Sequence, residues 1–390
     1  MSEHNTNNTG NVSDDINKIP AGSVPDLERR QFVTHAAAAA AGAATLGFPM
    51  VARAAEPITL KFQTTWLVDD IFYEYARDYG RLVNDMSGGR LRLSVLPAGA
   101  VAGTLRMQDA VNSGALDGGH SVATWYDKNK AYSLFGTPPA FGWDSNTMLG
   151  WMKYGGGQEL YDELVRKILK LNLVGFITGP MPSQSLGWFK KEVKSAADLK
   201  NIRYRTAGLA VEVMQEMGAE VVTMGSADIV PAMKRGALDA AEFNNPSSDR
   251  ALGFQDVAKT YMIRSFHQSA ECTEIIFNRT KYESLSKDLQ AILRYAAEAL
   301  SSDMAWKAMD RYSRDLQALE TKWGVKVVET PEPILKAQLR AWDTVIARLS
   351  KDPFCAKVIE SQKAWNKRVV GFQLRNDPDP RLAYDHFFTS

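Results

Sequence analysis

The 390-residue sequence is poor in cysteine: only Cys272 and Cys355. No cysteine framework holds the chain, and the pair forms no metal or redox motif. An oxidising compartment would permit a disulfide, and two buried free thiols fit equally well. Charge of either sign is also missing in excess, since 46 basic and 45 acidic residues leave +1. No basic stripe appears, which argues against nucleic acid and anionic membranes as partners. Past the N-terminal region no run reaches about 18 apolar residues, so nothing there reads as a membrane span. No G-x-G-x-x-G follows a strand pattern, and P-loop, H-E-x-x-H and C-x-x-C motifs are absent. The usual nucleotide and zinc chemistries therefore have no carrier.

What is present begins with an N-terminal region unlike the rest. Met1 to Glu28 is polar and lacks apolar periodicity, which predicts disorder. Glu28-Arg29-Arg30-Gln31-Phe32-Val33 then leads into an Ala-rich apolar run, Ala36 to Val51, closed by Ala52-Arg53-Ala54. That is the layout of an export signal, and the paired arginines resemble the twin-arginine type. Residues 1–54 are expected to be a disordered leader and cleaved signal, with the mature chain in the periplasm.

The whole chain is 45% hydrophobic, enough for one large domain or two medium lobes. Gly-Ala-Leu-Asp occurs twice, at Gly114–Asp117 and Gly236–Asp239, each after a helix-like run. A Gly just past a periodic segment reads as a left-handed helix cap, and the following residues feed a strand. One helix-Gly-strand unit used twice predicts two similar α/β lobes. Strand and helix patterns alternate from Ile58 to the first repeat as β-α-β-α-β, the signature of a parallel sheet. Further strands are expected at 173–178, 186–189, 202–205, 220–223 and 325–328. Helices are expected over 146–171, 210–217, 279–322, 335–349 and 356–370.

Two enzyme-like signals compete with a binding role. Gly119-His120-Ser121-Val122-Ala123 nearly matches a nucleophile elbow but lacks the last Gly. Gly155-Gly156-Gly157 follows a helix-like run rather than a strand, so it is a weak phosphate cradle. The stronger constellation is polar. Arg205 ends a strand pattern, with Arg203 on the same face. Gln184 lies at the mouth of the turn Gly179-Pro180-Met181-Pro182-Ser183, and Glu242-Phe243 follow the second repeat. A guanidinium clamps a carboxylate bidentately. Glutamate, a Gln oxygen and a backbone carbonyl suit Na+ or Ca2+ rather than zinc. Trp66, Trp125, Tyr126 and Trp188 are candidate walls.

Gln184-Ser185-Leu186-Gly187-Trp188-Phe189-Lys190-Lys191-Glu192-Val193-Lys194-Ser195-Ala196-Ala197-Asp198-Leu199-Lys200 resembles a stretch of TRAP transporter solute-binding proteins, the receptors of ATP-independent, sodium-driven uptake. Gly236-Ala237-Leu238-Asp239-Ala240-Ala241-Glu242-Phe243 resembles a second motif of that family. Phe277-Asn278, Tyr282, Leu285 and Lys287-Asp288-Leu289-Gln290 resemble a third. The similarity spans most of 56–375 and is nearest to the 2-oxo-acid and lactate receptors. It implies an α/β, two-lobed periplasmic-binding-protein-like fold with mixed sheets, crossing hinge strands and long C-terminal helices. Lobe 1 would cover 56–180 with part of 243–280, and lobe 2 would have its core at 181–242. A helical region at 281–390 would brace both.

The resemblance also implies a small organic acid, a 2-oxo or 2-hydroxy monocarboxylate, held between the lobes and delivered to membrane permease subunits. Arg205 would pair with its carboxylate, with Gln184, Trp66, Trp125 and Asn244 around it. Gln184, Glu242, the Phe243 carbonyl and Gln268 would hold a bridging Na+ or Ca2+. Position 268 is often acidic in the family, so the neutral Gln268 argues for Na+ over Ca2+ or against a cation. Asn244-Asn245-Pro246 replaces a more usual x-Gly-Pro, which points to a ligand other than a pyruvate-like acid. A homodimer through the C-terminal helices is a further implication. The rival is an exported hydrolase using Ser121 or the Glu242 carboxylate.

Overall fold

The computed structural model describes residues 56–126 and 128–389. The leader and signal expected at 1–54 lie outside the described residues. Among those described, no helix is long and apolar enough to cross a membrane.

The first sheet has the order β2-β1-β3-β10-β4. Its strands are β1 (Ile58–Thr64), β2 (Leu91–Leu96), β3 (Gly118–Val122), β4 (Leu173–Met181) and β10 (Glu271–Asn278). β1 runs parallel to β2 and β3, while β10 is antiparallel to β3 and β4. The parallel part is the expected β-α-β-α-β opening. Asp70 starts its first helix, Ile71–Met86, by accepting from the Phe72 amide at 2.9 Å. Phe72, Tyr75, Ala76, Tyr79 and Val83 recur at helical spacing and bury one face.

The second sheet has the order β11-β9-β5-β8-β6-β7. It contains β5 (Gly187–Phe189), β6 (Arg203–Arg205), β7 (Glu220–Val222), β8 (Ala240–Ala241), β9 (Thr260–Ile263) and β11 (Lys326–Glu329). β6 is parallel to β7 and β8, and β5 is antiparallel to β8 and β9. β9 and β10 are absent from the sequence expectations. β10, Glu-Cys-Thr-Glu-Ile-Ile-Phe-Asn, is buried on both faces and shows no alternation. β8 is only two residues long, so Glu242 and Phe243 follow the strand instead of ending it.

The two Gly-Ala-Leu-Asp copies do build the same device. Gly114 (φ 84°) and Gly236 (φ 77°) are left-handed, and Leu116 and Leu238 are buried. Asp117 then exchanges two bonds with Lys61 of β1: its amide donates to the Lys61 carbonyl, and its Oδ2 accepts from the Lys61 amide. Asp239 does the same to Arg203 of β6. Each Asp thus locks the following strand beside its parallel neighbour, β1 in the first sheet and β6 in the second.

Two segments cross between the sheets, 182–186 from β4 to β5 and 264–270 from β9 to β10. They are tied together where the Gln184 amide donates to the Gln268 carbonyl at 3.1 Å. The helix Lys287–Trp323 buries Leu289, Leu293, Ala296, Ala297, Leu300, Met304 and Ala308 against β4 and the helix Ile71–Met86. The Tyr79 hydroxyl donates to the Leu293 carbonyl at 2.9 Å. Long helices follow at Glu332–Leu349 and Pro353–Asn376.

Candidate functional site

Four parallel strands end at one place. β1 and β3 end near Trp66 and Trp125, β6 ends at Arg205, and β8 ends one residue before Glu242. Ligands of open α/β sheets bind at such carboxyl ends. The crossing segments add Gln184 and Gln268. A small cavity, with about 280 Å³ of empty space, is lined by Trp66, Val122, Thr124, Trp125, Gln184, Arg205, Ala207, Glu242, Phe243, Asn244, Gln268 and Glu271. All eight residues expected from the sequence therefore lie around one cavity: Trp66, Trp125, Gln184, Arg205, Glu242, Phe243, Asn244 and Gln268.

Arg205 is almost wholly buried, as is Glu242 beside it. Arg205 Nε and Nη2 donate to the Met224 carbonyl at 3.2 and 3.0 Å. Nη1 donates to the Glu242 carbonyl at 2.9 Å and to Glu242 Oε1 at 3.1 Å. The guanidinium lies over the rings of Trp125 and Phe243, 5.9 and 5.6 Å from their centroids. The backbone carbonyls fix its plane, the rings favour its charge, and Nη2 keeps one further N–H.

The other polar groups fall into two kinds. The indole nitrogens of Trp66 and Trp125 are buried donors without a hydrogen-bond partner. Gln184 Oε1, Glu242 Oε2 and Gln268 Oε1 are buried acceptors to which no bond of normal geometry is made. Buried polar atoms are usually paired, and one such atom costs about 1–3 kcal/mol. Three unpaired oxygens and two unpaired donors around one cavity mark a place built for something that supplies both. Oxygen donors of this kind fit Na+ or Ca2+.

Burial pushes the Glu242 carboxyl up to about 7, against the pull of Arg205. Burial and the nearby Glu242 charge push Glu271 up to about 8. Glu271 is the lining residue that sequence reasoning missed. It opens the unrecognised β10, and its carboxylate accepts a short hydrogen bond from Gln184 Nε2. A second buried carboxyl thus lies three residues from Gln268 and lines the same cavity.

Asn244 lies within 3.4 Å of Gln184 Nε2 through Oδ1. Asn245 caps the helix Pro246–Leu252 by accepting from Ser247 and Ser248 amides. Arg203 is outside the cavity and forms a bidentate pair with Asp239 at 2.8 and 2.7 Å. Trp188 is core, stacked on Tyr261 and bonded to Asp249. Ser121 sits within β3, paired with β10, not on an elbow. Gly155 to Gly157 join two helices. Cys272 and Cys355 are both free and buried. A wider surface cleft lined by Met152, Arg166, Tyr282 and Arg294 has charges that pair among themselves, Lys153 with Glu298 and Arg166 with Asp162.

A buried guanidinium, unpaired donors and unpaired oxygens at the junction of two mixed sheets define a binding protein for a small anionic solute. The profile of the bacterial extracellular solute-binding protein family 7 matches residues 62–352, and the chain belongs to that family. It is similar to a monocarboxylate 2-oxoacid-binding periplasmic protein of Nostoc sp., 28% identical over 316 residues, covering 81% of this chain and 85% of the relative. Among solved structures it resembles a TRAP transporter solute-binding protein of Bordetella bronchiseptica with calcium and picolinate in its active site. That match has TM-score 0.79 and 26% identity, covering 85% of this chain and 97% of the other. It also resembles a TRAP periplasmic solute-binding protein of Pseudoalteromonas atlantica with bound sodium and pyruvate, with TM-score 0.78, 29% identity and coverage of 85% and 99%. The fold is that of the TRAP periplasmic binding proteins.

Proposed function

We propose that this chain is the periplasmic receptor of a TRAP uptake system and binds a 2-oxo or 2-hydroxy monocarboxylate together with Na+ or Ca2+. No bond is made or broken. The observation that carries the reading is the single cavity in which a buried guanidinium meets unpaired indole donors and unpaired oxygens. Arg205 and the indole N–H groups of Trp66 and Trp125 take the ligand carboxylate. Gln184, Glu242, Gln268 and the Phe243 carbonyl hold the cation, which supplies the positive charge their oxygens lack. The crossing segments 182–186 and 264–270 act as the hinge on which the lobes close. Membrane permease subunits receive the solute.

Exposed apolar side chains on the long helices, Trp306, Met309, Phe372 and Leu374, support a homodimer through these elements, which sedimentation equilibrium reads directly. The receptor reading is tested by melting the purified protein with a panel of organic acids, with and without each cation. A ligand at 100 times its Kd adds about 2.7 kcal/mol of stability. A 2-oxo or 2-hydroxy acid should raise Tm in a cation-dependent way. Turnover of the acid would sink the reading.

A further inference from the structure

The crossing segments are not the only place where the two halves of the molecule meet. The chain leaves β6 at Arg205 and passes through Thr206 and Ala207 to Gly208, which is left-handed with φ 62°. Ala207 lines the solute cavity beside Thr124, which follows β3 of the first sheet. Gly208 packs against that same Thr124 and against Thr137. A Cβ on Gly208 would lie 2.4 Å from Thr124 Cγ2 and 2.9 Å from Thr137 Oγ1. Neither distance leaves room for a carbon atom, so only glycine lets the two halves come this close. The threonine hydroxyls bond each other at 2.9 Å and both residues are buried. They make a firm seat, not flexible ends that swing aside.

The contact continues along the helix Ala210–Glu216. Its Glu212 carboxylate, almost wholly buried, accepts from Lys130, which opens the helix Lys130–Ser133 shortly after β3. It also accepts from Arg348 at 2.9 Å, on the helix Glu332–Leu349 that packs against Ala210–Glu216. The seat has a direct link to the solute anchor. Gly208 is three residues past Arg205, and Thr124 adjoins Trp125, whose ring lies 5.9 Å from the Arg205 guanidinium. How far Gly208 advances onto Thr124 therefore sets how far Arg205 advances onto Trp125.

We propose that Gly208 and the Thr124–Thr137 pair form the closure stop of this receptor: Gly208 is a positioning residue whose close approach sets the spacing of Arg205 and Trp125 and so the affinity for the solute. The inference rests on the receptor reading above. A side chain at position 208 holds the halves apart, which lowers the share of molecules in the closed, binding-competent state and weakens binding in proportion.

Calorimetric titration of pyruvate, lactate and picolinate, in Na+ and in Ca2+, compares the wild type, Gly208→Ala, Gly208→Asn, Thr124→Ser and Gly208→Ala/Thr124→Ser. Each ligand-free protein is also melted. Any L-residue at φ 62° carries a backbone cost, smaller for Asn than for Ala. That cost falls on the ligand-free fold and is read by the melt, whereas the added Cβ acts on closure and is read by affinity. Gly208→Ala should bind about 10–100-fold more weakly, the range that overpacking gives. Gly208→Asn should lose at least as much affinity while melting closer to the wild type, which keeps the test open if the Ala variant folds poorly. Thr124→Ser removes Cγ2 and keeps the hydroxyl. Measured against Thr124→Ser alone, the double variant should recover most of the lost affinity and none of the lost Tm, a rescue that backbone strain does not give. A Gly208→Ala protein that binds as the wild type does, or a double variant as weak as Gly208→Ala, would overturn the proposal. Failure of the wild type to bind any of these acids in either cation would instead overturn the receptor reading, and this inference with it.

Discussion

Arg205 is held in the interior by what surrounds it: two backbone carbonyls, the Glu242 carboxylate and two aromatic rings. A guanidinium so fixed is ready to meet a carboxylate without reorganising. The same environment makes it a structural residue, since removing one member of a buried ion pair costs about 3–5 kcal/mol. Truncation to Ala would confuse binding with folding. Trp125 offers a cleaner probe, because its indole nitrogen is buried and has no partner. Trp125→Phe should weaken acid binding by about 1.5–3 kcal/mol, the value of a hydrogen bond to a charged group. The ligand-free protein should not lose stability through that N–H, because its bond is made only to ligand. Calorimetry paired with thermal melting separates the two. At this scale the sequence was informative where motifs were strong, at Gln184, Arg205, Glu242 and Phe243. Glu271 was illegible, because a lone acidic residue before an apolar run carries no pattern that says it turns inward.

At the scale of elements, the Gly-Ala-Leu-Asp repeat shows what short patterns can and cannot say. Its glycines cap helices in left-handed conformation, as the sequence suggested, and its aspartates lock the following strand to β1 or β6. A Cβ on Gly236 would meet nothing within 4 Å, so the demand there is conformational alone. Gly236→Ala should destabilise the protein by about 1–2 kcal/mol, the cost of a left-handed L-residue. Urea unfolding with an unchanged m-value would report that loss. The long helices were legible from their apolar spacing. β10 was not, because a strand buried on both faces lacks the alternation that identifies strands. β8 was shorter than expected, since two residues between β5 and β6 suffice to carry the chain to Glu242.

For the whole molecule, the notable cost is the number of carboxyls buried away from cations. Burial pushes Asp70 and Asp249 from 3.8 to about 7, and Glu274 from 4.5 to about 7, although each accepts hydrogen bonds. These folded values exceed the unfolded ones, so the fold favours the protonated form. The stability they contribute is complete below about pH 4 and is lost as pH rises through 7. The ligand-free protein should therefore melt at lower temperature at about pH 8 than at about pH 5. An unchanged or rising Tm over that window would show that these groups are better compensated than their surroundings indicate.

The central claim is that Arg205 anchors the carboxylate of a small acid in a cavity shared by both sheets. It is tested most directly by calorimetric titration of 2-oxo and 2-hydroxy monocarboxylates into the wild type and Arg205→Lys, with the fold of each checked by circular dichroism. Lysine keeps the charge but loses the planar fork. The account predicts saturable binding by the wild type and a loss of at least about 2 kcal/mol, roughly thirtyfold, in a folded Arg205→Lys. Equal affinity in the two proteins would contradict it.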